Sequence, residues 1–200
     1  MQLNNKQKML FVHIPRTGGS WFTYNWPYAE RSDQFISDNK LGRHGKLSGI
    51  LDKLNKLKVD VHDFKIVTII REPLDRIASS WVWFSKVKGT AEKHGWKTID
   101  DMLDEYEGGG VRANYLPQTH WLCDRDVKFH IIYRFEDLLE NSFLPQKDFS
   151  SFGKGEASSK RLLRQGQNRT SLLTDKQKIR IKSLYKKDFD FLSPYYKTLK

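Results

Sequence analysis

The chain has 200 residues, of which 38% are hydrophobic and 30% charged, and it carries a net charge of +11. This length and composition are typical of one soluble globular domain, which we expect to span residues 1–200. The single cysteine, Cys123, excludes an intramolecular disulfide and a cysteine-built metal site, and no apolar run is long enough to cross a bilayer. Because no secretory signal is visible either, the sequence predicts a cytoplasmic protein.

Four elements are predicted in the first third of the chain. The apolar run Met9–Ile14 predicts a buried strand, and Ser20–Trp26 predicts a short helix. Leucines and an isoleucine at helical spacing predict an amphipathic helix over Leu47–Leu57. The β-branched run Phe64–Ile70 predicts a strand covered on both faces, as strands of parallel sheets are.

Helices and strands continue to alternate in the rest of the chain. The predicted elements are a helix from Pro73 to Phe84, a helix over Thr98–Tyr106, a strand over Val127–Tyr133, a helix over Glu136–Asn141 and a last helix over Thr174–Phe189. Alternation of this kind predicts an α/β fold: one parallel sheet flanked by helices.

The segment H-I-P-R-T-G-G-S at 13–20, which begins at the end of the first predicted strand, has the composition of an anion-binding turn. Glycines allow close backbone approach, successive N–H groups converge, and the start of a helix favours negative charge. Arg16 adds a permanent charge, and Thr17 and Ser20 add hydroxyls. The nucleoside-triphosphate pattern G-x-x-x-x-G-K-[ST] is absent, so the turn predicts a phosphate-binding strand–loop–helix like that of nucleotide kinases, but without their lysine.

A second candidate site follows the strand Phe64–Ile70. Arg71 stands at the carboxyl end of this strand, where ligands of open α/β sheets bind, and Ser79 lies two helical turns later. An arginine and a hydroxyl suit a second phosphate group. The alternative is that Arg71 is a surface charge paired with Glu72 or Asp75, and that Ser79 is a small packing residue.

Four segments together resemble the sulfotransferases that use 3′-phosphoadenosine-5′-phosphosulfate (PAPS). H-I-P-R-T-G-G-S resembles their 5′-phosphosulfate loop, and R-E-P-L-D-R-I-A-S-S at 71–80 resembles their 3′-phosphate motif. Y-R-F-E-D-L-L at 133–139 and Y-K-K-D-F-D-F-L at 185–192 are similar to two later family motifs. The resemblance covers nearly the whole chain and implies an enzyme of this family.

The resemblance also assigns residues to the donor, whose product is adenosine 3′,5′-bisphosphate. The implied cofactor-binding residues are Arg16, Thr17, Gly18, Gly19, Ser20 and Trp21 at the phosphosulfate, Arg71 and Ser79 at the 3′-phosphate, and Arg164 and Arg169 in a basic loop that closes over the nucleotide. Arg16 stands where the family most often has lysine. An arginine can offset the charge that develops on the leaving group, but it is not an acid near neutral pH.

The general base is expected among the six histidines, because histidine titrates nearest to neutral pH. His44 lies in a polar loop, G-R-H-G-K-L, and the similar branch of heparan 2-O-sulfotransferases has a catalytic histidine in a comparable loop. We therefore predict His44 as the base and Arg16 as its catalytic partner. His13 and His130 lie in predicted strands and are expected to be structural. The lower-ranked candidates for the base are His62, Glu72 and Asp75.

The acceptor is predicted only as a hydroxyl-bearing molecule, with a carbohydrate favoured by the branch resemblance. The segment Gly108–Trp121 is expected to border its site, with Gln118 and His120 as hydrogen-bonding groups and Trp96 or Trp121 as stacking surfaces. No metal is expected. Two other functions remain open, a kinase-like nucleotide enzyme and a basic nucleic-acid-binding module. The second has support from residues 154–200, which hold 13 basic and 4 acidic residues but no nucleic-acid motif.

Overall fold

The structure is a computed structural model that describes residues 2–4, 8–19, 22, 44–60, 62–87, 89–123, 129–140 and 169–196. Its strands are β1 (Gln2–Asn4), β2 (Met9–Val12), β3 (Lys65–Ile70) and β4 (Ile131–Arg134). Its α-helices are α1 (Leu47–Lys56), α2 (Pro73–Val82), α3 (Thr90–Lys93), α4 (Ile99–Glu107), α5 (Thr119–Leu122), α6 (Asp137–Glu140), α7 (Asp175–Leu184) and α8 (Lys186–Leu192). A π-helical turn (Trp83–Val87) and two 3₁₀ turns (Arg169–Leu172 and Ser193–Tyr195) complete the described elements.

The four strands form one sheet in the order β1-β2-β3-β4. Strands β2, β3 and β4 are parallel, with Val12 paired to Thr68 and Thr68 to Ile132. The carboxyl ends of β2 and β3 therefore lie side by side, which is where α/β proteins place their ligands. The predicted α/β class, a parallel sheet flanked by helices, is confirmed.

The chain divides into two compact units, 1–70 with 118–165 and 71–117 with 166–200. The first unit holds the sheet, and a cluster of buried side chains packs on it: Phe11, Phe22, Val67, Ile69 and Phe135. That the chain forms a single domain stays a prediction.

The second unit is built on the helix α2. Pro73 occupies its first turn, where the missing N–H costs nothing, and the Glu72 carboxylate caps it by accepting from the Asp75 N–H at 2.6 Å. Its core is rich in aromatic residues, among them Phe84, Trp96, Tyr115, Tyr185 and Phe189. Arg76 is buried within this unit. Burial lowers the pKa of its guanidinium, and the negative charge of the buried Asp188 raises it.

Several boundaries differ from the predicted ones. The strand predicted over Val127–Tyr133 is observed as β4, which begins at Ile131. The predicted strand Met9–Ile14 ends at Val12, since the following residues lead into a turn. The helix that was expected to run to Phe84 ends at Val82 and continues as the π-helical turn. The final predicted helix is two helices, α7 and α8, which meet at Tyr185.

One observed strand was not predicted, and parts of some predicted elements cannot be compared with the structure. The strand β1 was not predicted, because its sequence, Q-L-N, offers one buried apolar side chain, Leu3. Residues 20–21, 23–26, 127–128 and 141 of the predicted elements lie outside the described residues. No helix in the described part of the chain is long and apolar enough to cross a membrane.

Candidate active site

The turn after β2 spans residues 14–19 and is named here the glycine loop. Within it, the buried Thr17 hydroxyl donates to the Ile14 carbonyl at 2.9 Å, which closes the turn. Arg16 and Gly18 have positive φ angles, 68° and 85°. The Phe22 N–H then donates to the Gly18 carbonyl at 3.0 Å, the first hydrogen bond of a helical turn. A strand that passes through such a turn into a helical turn is the local geometry in which backbone N–H groups gather around an anion.

Neither glycine of this loop can be replaced by a larger residue without a steric clash. A Cβ atom on Gly18 would lie 2.6 Å from Cδ2 of Phe135, and its positive φ disfavours any other residue. A Cβ on Gly19 would lie 2.9 Å from Cγ of His13, and closer still to Cδ2 and Nε2 of the same ring. The glycine loop is thus packed against the ring of His13 on one side and Phe135 on another.

His44 lies next to this packed histidine. Its Nδ1 atom is 3.2 Å from the His13 carbonyl oxygen, and the two ring centroids are 4.5 Å apart in an edge-on arrangement. A carbonyl oxygen only accepts hydrogen bonds, so this contact places the proton of a neutral His44 on Nδ1. The Nε2 atom of His44 is then the unprotonated nitrogen, the form that a general base needs.

The same neighbourhood includes Trp121 of α5. Its ring centroid is 6.4 Å from that of His44, and its side chain is buried. Its buried Nε1 has no hydrogen-bond partner among the described residues. His120 packs edge-on against this indole at 5.0 Å, and Gln118 is fully buried one turn earlier. The end of the predicted acceptor segment therefore lies close to His44.

The other histidines have different surroundings. His130 forms two hydrogen bonds with Ile66 at the sheet. The backbone N–H of His130 donates to the Ile66 carbonyl at 3.0 Å, and the ring Nδ1 of His130 accepts from the backbone N–H of Ile66 at 3.1 Å. His13 is buried beneath the glycine loop. The predicted placement of both histidines inside strands is wrong by one residue, because β2 ends at Val12 and β4 begins at Ile131. His62 is exposed in the turn before β3, where its N–H donates to Asp60.

Arg71 is the first residue after β3, and it is buried rather than a surface charge. Its Nε and Nη2 atoms each lie 2.7 Å from Oδ2 of Asp75, also buried. The other carboxylate oxygen of Asp75 accepts from the backbone N–H of Arg169 at 2.6 Å. The pairing with Asp75 that the alternative reading proposed is thus real, but it is a buried contact that involves two arginines. With its oxygens held in this way, Asp75 is poorly suited to act as a base.

The positive charge of Arg71 acts on the side chain of Arg169. Burial lowers the pKa of the half-buried Arg169, and the positive charge of Arg71 lowers it further, against a smaller opposite effect of Asp75. The Asp75 carboxylate contacts the guanidinium of Arg71 and the backbone N–H of Arg169, and the charges of both arginine side chains act on one another at this point. This arrangement suits a bound anion, because an anion would relieve the repulsion between the two cations.

Ser79 of α2 is buried, in the same unit as Arg71 and Arg169. Its neighbour Ser80 has a structural role, since its hydroxyl contacts the carbonyls of Arg76 at 3.0 Å and Asn114 at 2.6 Å. Three of the predicted cofactor residues, Ser20, Trp21 and Arg164, lie outside the described residues.

The first part of the predicted acceptor segment is structural. Glu105 accepts from Arg112 at 2.6 Å and from the Tyr115 hydroxyl at 2.8 Å, and Gly110 packs against Tyr115 so closely that no side chain fits there. Trp96 is a core residue that packs on Phe84 and Tyr115. Sequence reasoning placed Trp96 and Trp121 on an equal footing. The structure separates them: Trp96 belongs to the aromatic core and Trp121 neighbours His44.

Sequence reasoning missed the connection that Asp75 makes to Arg169. The only available signal was the spacing of Arg71 and Asp75, four residues apart at the start of a helix, which indicates an ion pair and no more. In the described residues, no group of three or more His, Cys, Asp or Glu side chains is arranged to hold a metal ion.

A family model described as "Sulfotransferase family" matches residues 1–196, and the chain therefore belongs to the sulfotransferase family. No curated protein and no solved structure matches the chain. Membership of this family makes the chain a transferase of sulfuryl groups.

Proposed function

We propose that this sulfotransferase moves a sulfuryl group from PAPS to a hydroxyl of a carbohydrate, with His44 as the general base. The observation that carries the proposal is the contact of His44 with His13, the residue on which the glycine loop packs, with the Nδ1 atom of His44 3.2 Å from the His13 carbonyl oxygen. The family match supports sulfuryl transfer in general. The carbohydrate is proposed from the motif resemblance to the heparan 2-O branch.

The residues present fit a donor that carries two separate anionic groups. Gly18 and Gly19 bring the loop backbone into close contact with Phe135 and His13, and the positive charges of Arg71 and Arg169 lie close enough to affect one another. We assign the phosphosulfate to Arg16, Thr17, Gly18, Gly19, Ser20 and Trp21, and the 3′-phosphate to Arg71, Ser79, Arg164 and Arg169. PAPS, when bound, supplies an activated sulfuryl group and a phosphate leaving group.

The chain itself contributes positioning, a proton acceptor and fixed positive charge, as in phosphoryl transfer. The Nε2 atom of His44 accepts the proton of the acceptor hydroxyl, and the His13 carbonyl keeps the ring in the required tautomer. Arg16 and the loop N–H groups offset the negative charge on the leaving oxygen. Arg16 stays protonated throughout, so its contribution is electrostatic.

Two measurements test the proposal. The first is transfer of labelled sulfate from PAPS to a panel of glycans, peptides and phenols, in which glycans should be sulfated. Transfer of labelled sulfate only to phenols or tyrosine peptides would contradict the carbohydrate assignment.

The second is calorimetry with adenosine 3′,5′-bisphosphate and adenosine 5′-phosphate. The wild-type protein should prefer the bisphosphate, and Arg71→Ala should lose most of that preference because the 3′-phosphate loses a charge partner. Lys182→Ala is the control, since it removes one positive charge from an exposed position in the same unit. Unchanged bisphosphate affinity in Arg71→Ala would reject the assigned 3′-phosphate site.

A further inference from the structure

Asp75 joins two segments that are far apart in the sequence. One carboxylate oxygen contacts both Nε and Nη2 of Arg71, and the other accepts the N–H of Arg169, 94 residues later in the chain. All three contacts are 2.7 Å or shorter, and the Asp75 side chain is almost completely buried. Hydrogen bonds to a buried ionised group are among the stronger ones in proteins.

A carboxylate at this point has two opposing effects on anion binding. Its negative charge opposes any anion that approaches Arg71, so electrostatics alone predicts tighter binding once the charge is removed. Its hydrogen bonds fix the direction of the Arg71 guanidinium and the position of the Arg169 backbone. Orientation alone therefore predicts weaker binding once those bonds are lost.

We propose that Asp75 is a positioning residue, which holds Arg71 and Arg169 in the one arrangement that receives the 3′-phosphate of the nucleotide. This inference rests on the proposed function, because it concerns the same phosphate. The inference adds that the orientation that Asp75 gives to Arg71 affects anion binding more than the negative charge of Asp75 does. It also adds that binding at Arg71 is coupled to the segment that begins at Arg169. The contact network favours it, since both oxygens of the carboxylate are engaged and solvent is excluded.

The sign of the effect of Asp75→Asn on binding decides between the two effects. We expect the affinity for adenosine 3′,5′-bisphosphate to fall about tenfold, the size of one charged hydrogen bond, and the affinity for adenosine 5′-phosphate to stay the same. Asp175→Asn is the matched control, because it removes the same charge from an exposed side chain of the same unit. The control should leave both affinities unchanged.

Four results would overturn the inference. Bisphosphate binding by Asp75→Asn that equals or exceeds that of the wild type would show that charge outweighs orientation. Equal loss of affinity for both nucleotides would show a general structural role. A wild-type protein without preference for the bisphosphate would remove the proposed function as well. If Arg71→Ala loses affinity for the bisphosphate and Asp75→Asn does not, the assigned 3′-phosphate site stands and only the proposed role of Asp75 is refuted.

A second measurement uses only the wild-type protein, in case Asp75→Asn does not fold. Hydrogen exchange at the Arg169 amide reports the bond that this N–H donates to Asp75. Adenosine 3′,5′-bisphosphate should slow this exchange, and adenosine 5′-phosphate should have a smaller effect. Equal exchange with either nucleotide would contradict the coupling.

Discussion

The tight contact between Gly19 and His13 makes Gly19→Ala the most informative single substitution. The new Cβ would lie 2.9 Å from Cγ of His13, against an ordinary carbon contact of about 3.5 Å, and closer still to Cδ2 and Nε2 of that ring. The His13 ring cannot simply turn away, because it is buried and packs against Phe11 and His44. The overlap must therefore be relieved by a shift that reaches His44.

The size of the effect follows from this geometry. Overpacking of a buried site costs about 1–3 kcal/mol, and we expect the upper part of that range, about 2–3 kcal/mol. In a chain of this length this corresponds to a fall in Tm of about 4–12 °C. A shift of the proposed base by an ångström lowers kcat by roughly 100-fold, which is more than the loss of stability alone would produce.

The assay combines thermal unfolding followed by circular dichroism with the transfer assay at a temperature where both proteins are folded. Gly49→Ala is the control: Gly49 lies in α1 with nothing within 4 Å of an added Cβ, so alanine should raise stability by up to about 1 kcal/mol and leave turnover unchanged. If Gly19→Ala melts and turns over like the wild type, the close packing of the loop on His13 is wrong, and the argument that links it to His44 fails.

Three further outcomes are expected. Arg16→Lys should keep turnover within about tenfold, because the proposed role needs charge rather than the guanidinium fork, and complete loss of turnover would contradict that role. His44→Gln should lower kcat by about 100- to 10,000-fold with unchanged bisphosphate affinity in calorimetry, and normal turnover would reassign the base; His62→Gln is its control. Unfolding free energy should fall as the pH rises above about 10, because burial and the hydrogen bond to Glu105 raise the pKa of Tyr115, so the native state keeps a proton that the unfolded state releases. Urea titrations of Tyr115→Phe should show a shallower fall, and an identical pH dependence would refute this cause.

Elements with a strong local pattern were predictable from the sequence. The β-branched run that forms β3 and the apolar spacing that forms α1 both agree with the structure to within a residue or so. The strand β1 was not predictable, since it is held by pairing with β2 rather than by its own composition. The break between α7 and α8 was hidden because apolar residues continue at helical spacing through Tyr185.

At the candidate site, the sequence indicates which residues are candidates, and the structure shows which of them contact one another. The glycine loop and Arg71 were predictable because strand ends, glycines and arginines follow local rules. The contact of His44 with His13 joins residues 31 positions apart, and no local pattern reports such a distance. The same holds for the bond between Asp75 and the Arg169 amide. Tertiary contacts of this kind decide which of several similar side chains takes part in the chemistry.

The buried charge of Arg76 has a practical consequence for anyone who shortens this protein. Asp188, which offsets that charge, stands in α8, near the C-terminal limit of the chain. A version trimmed before α8 would remove the negative charge of Asp188 that offsets the guanidinium of Arg76, and the loss of one partner of a buried charge pair costs about 3–5 kcal/mol. Deletions from this terminus should therefore stop beyond Leu192, and fusion partners belong after that helix rather than in its place.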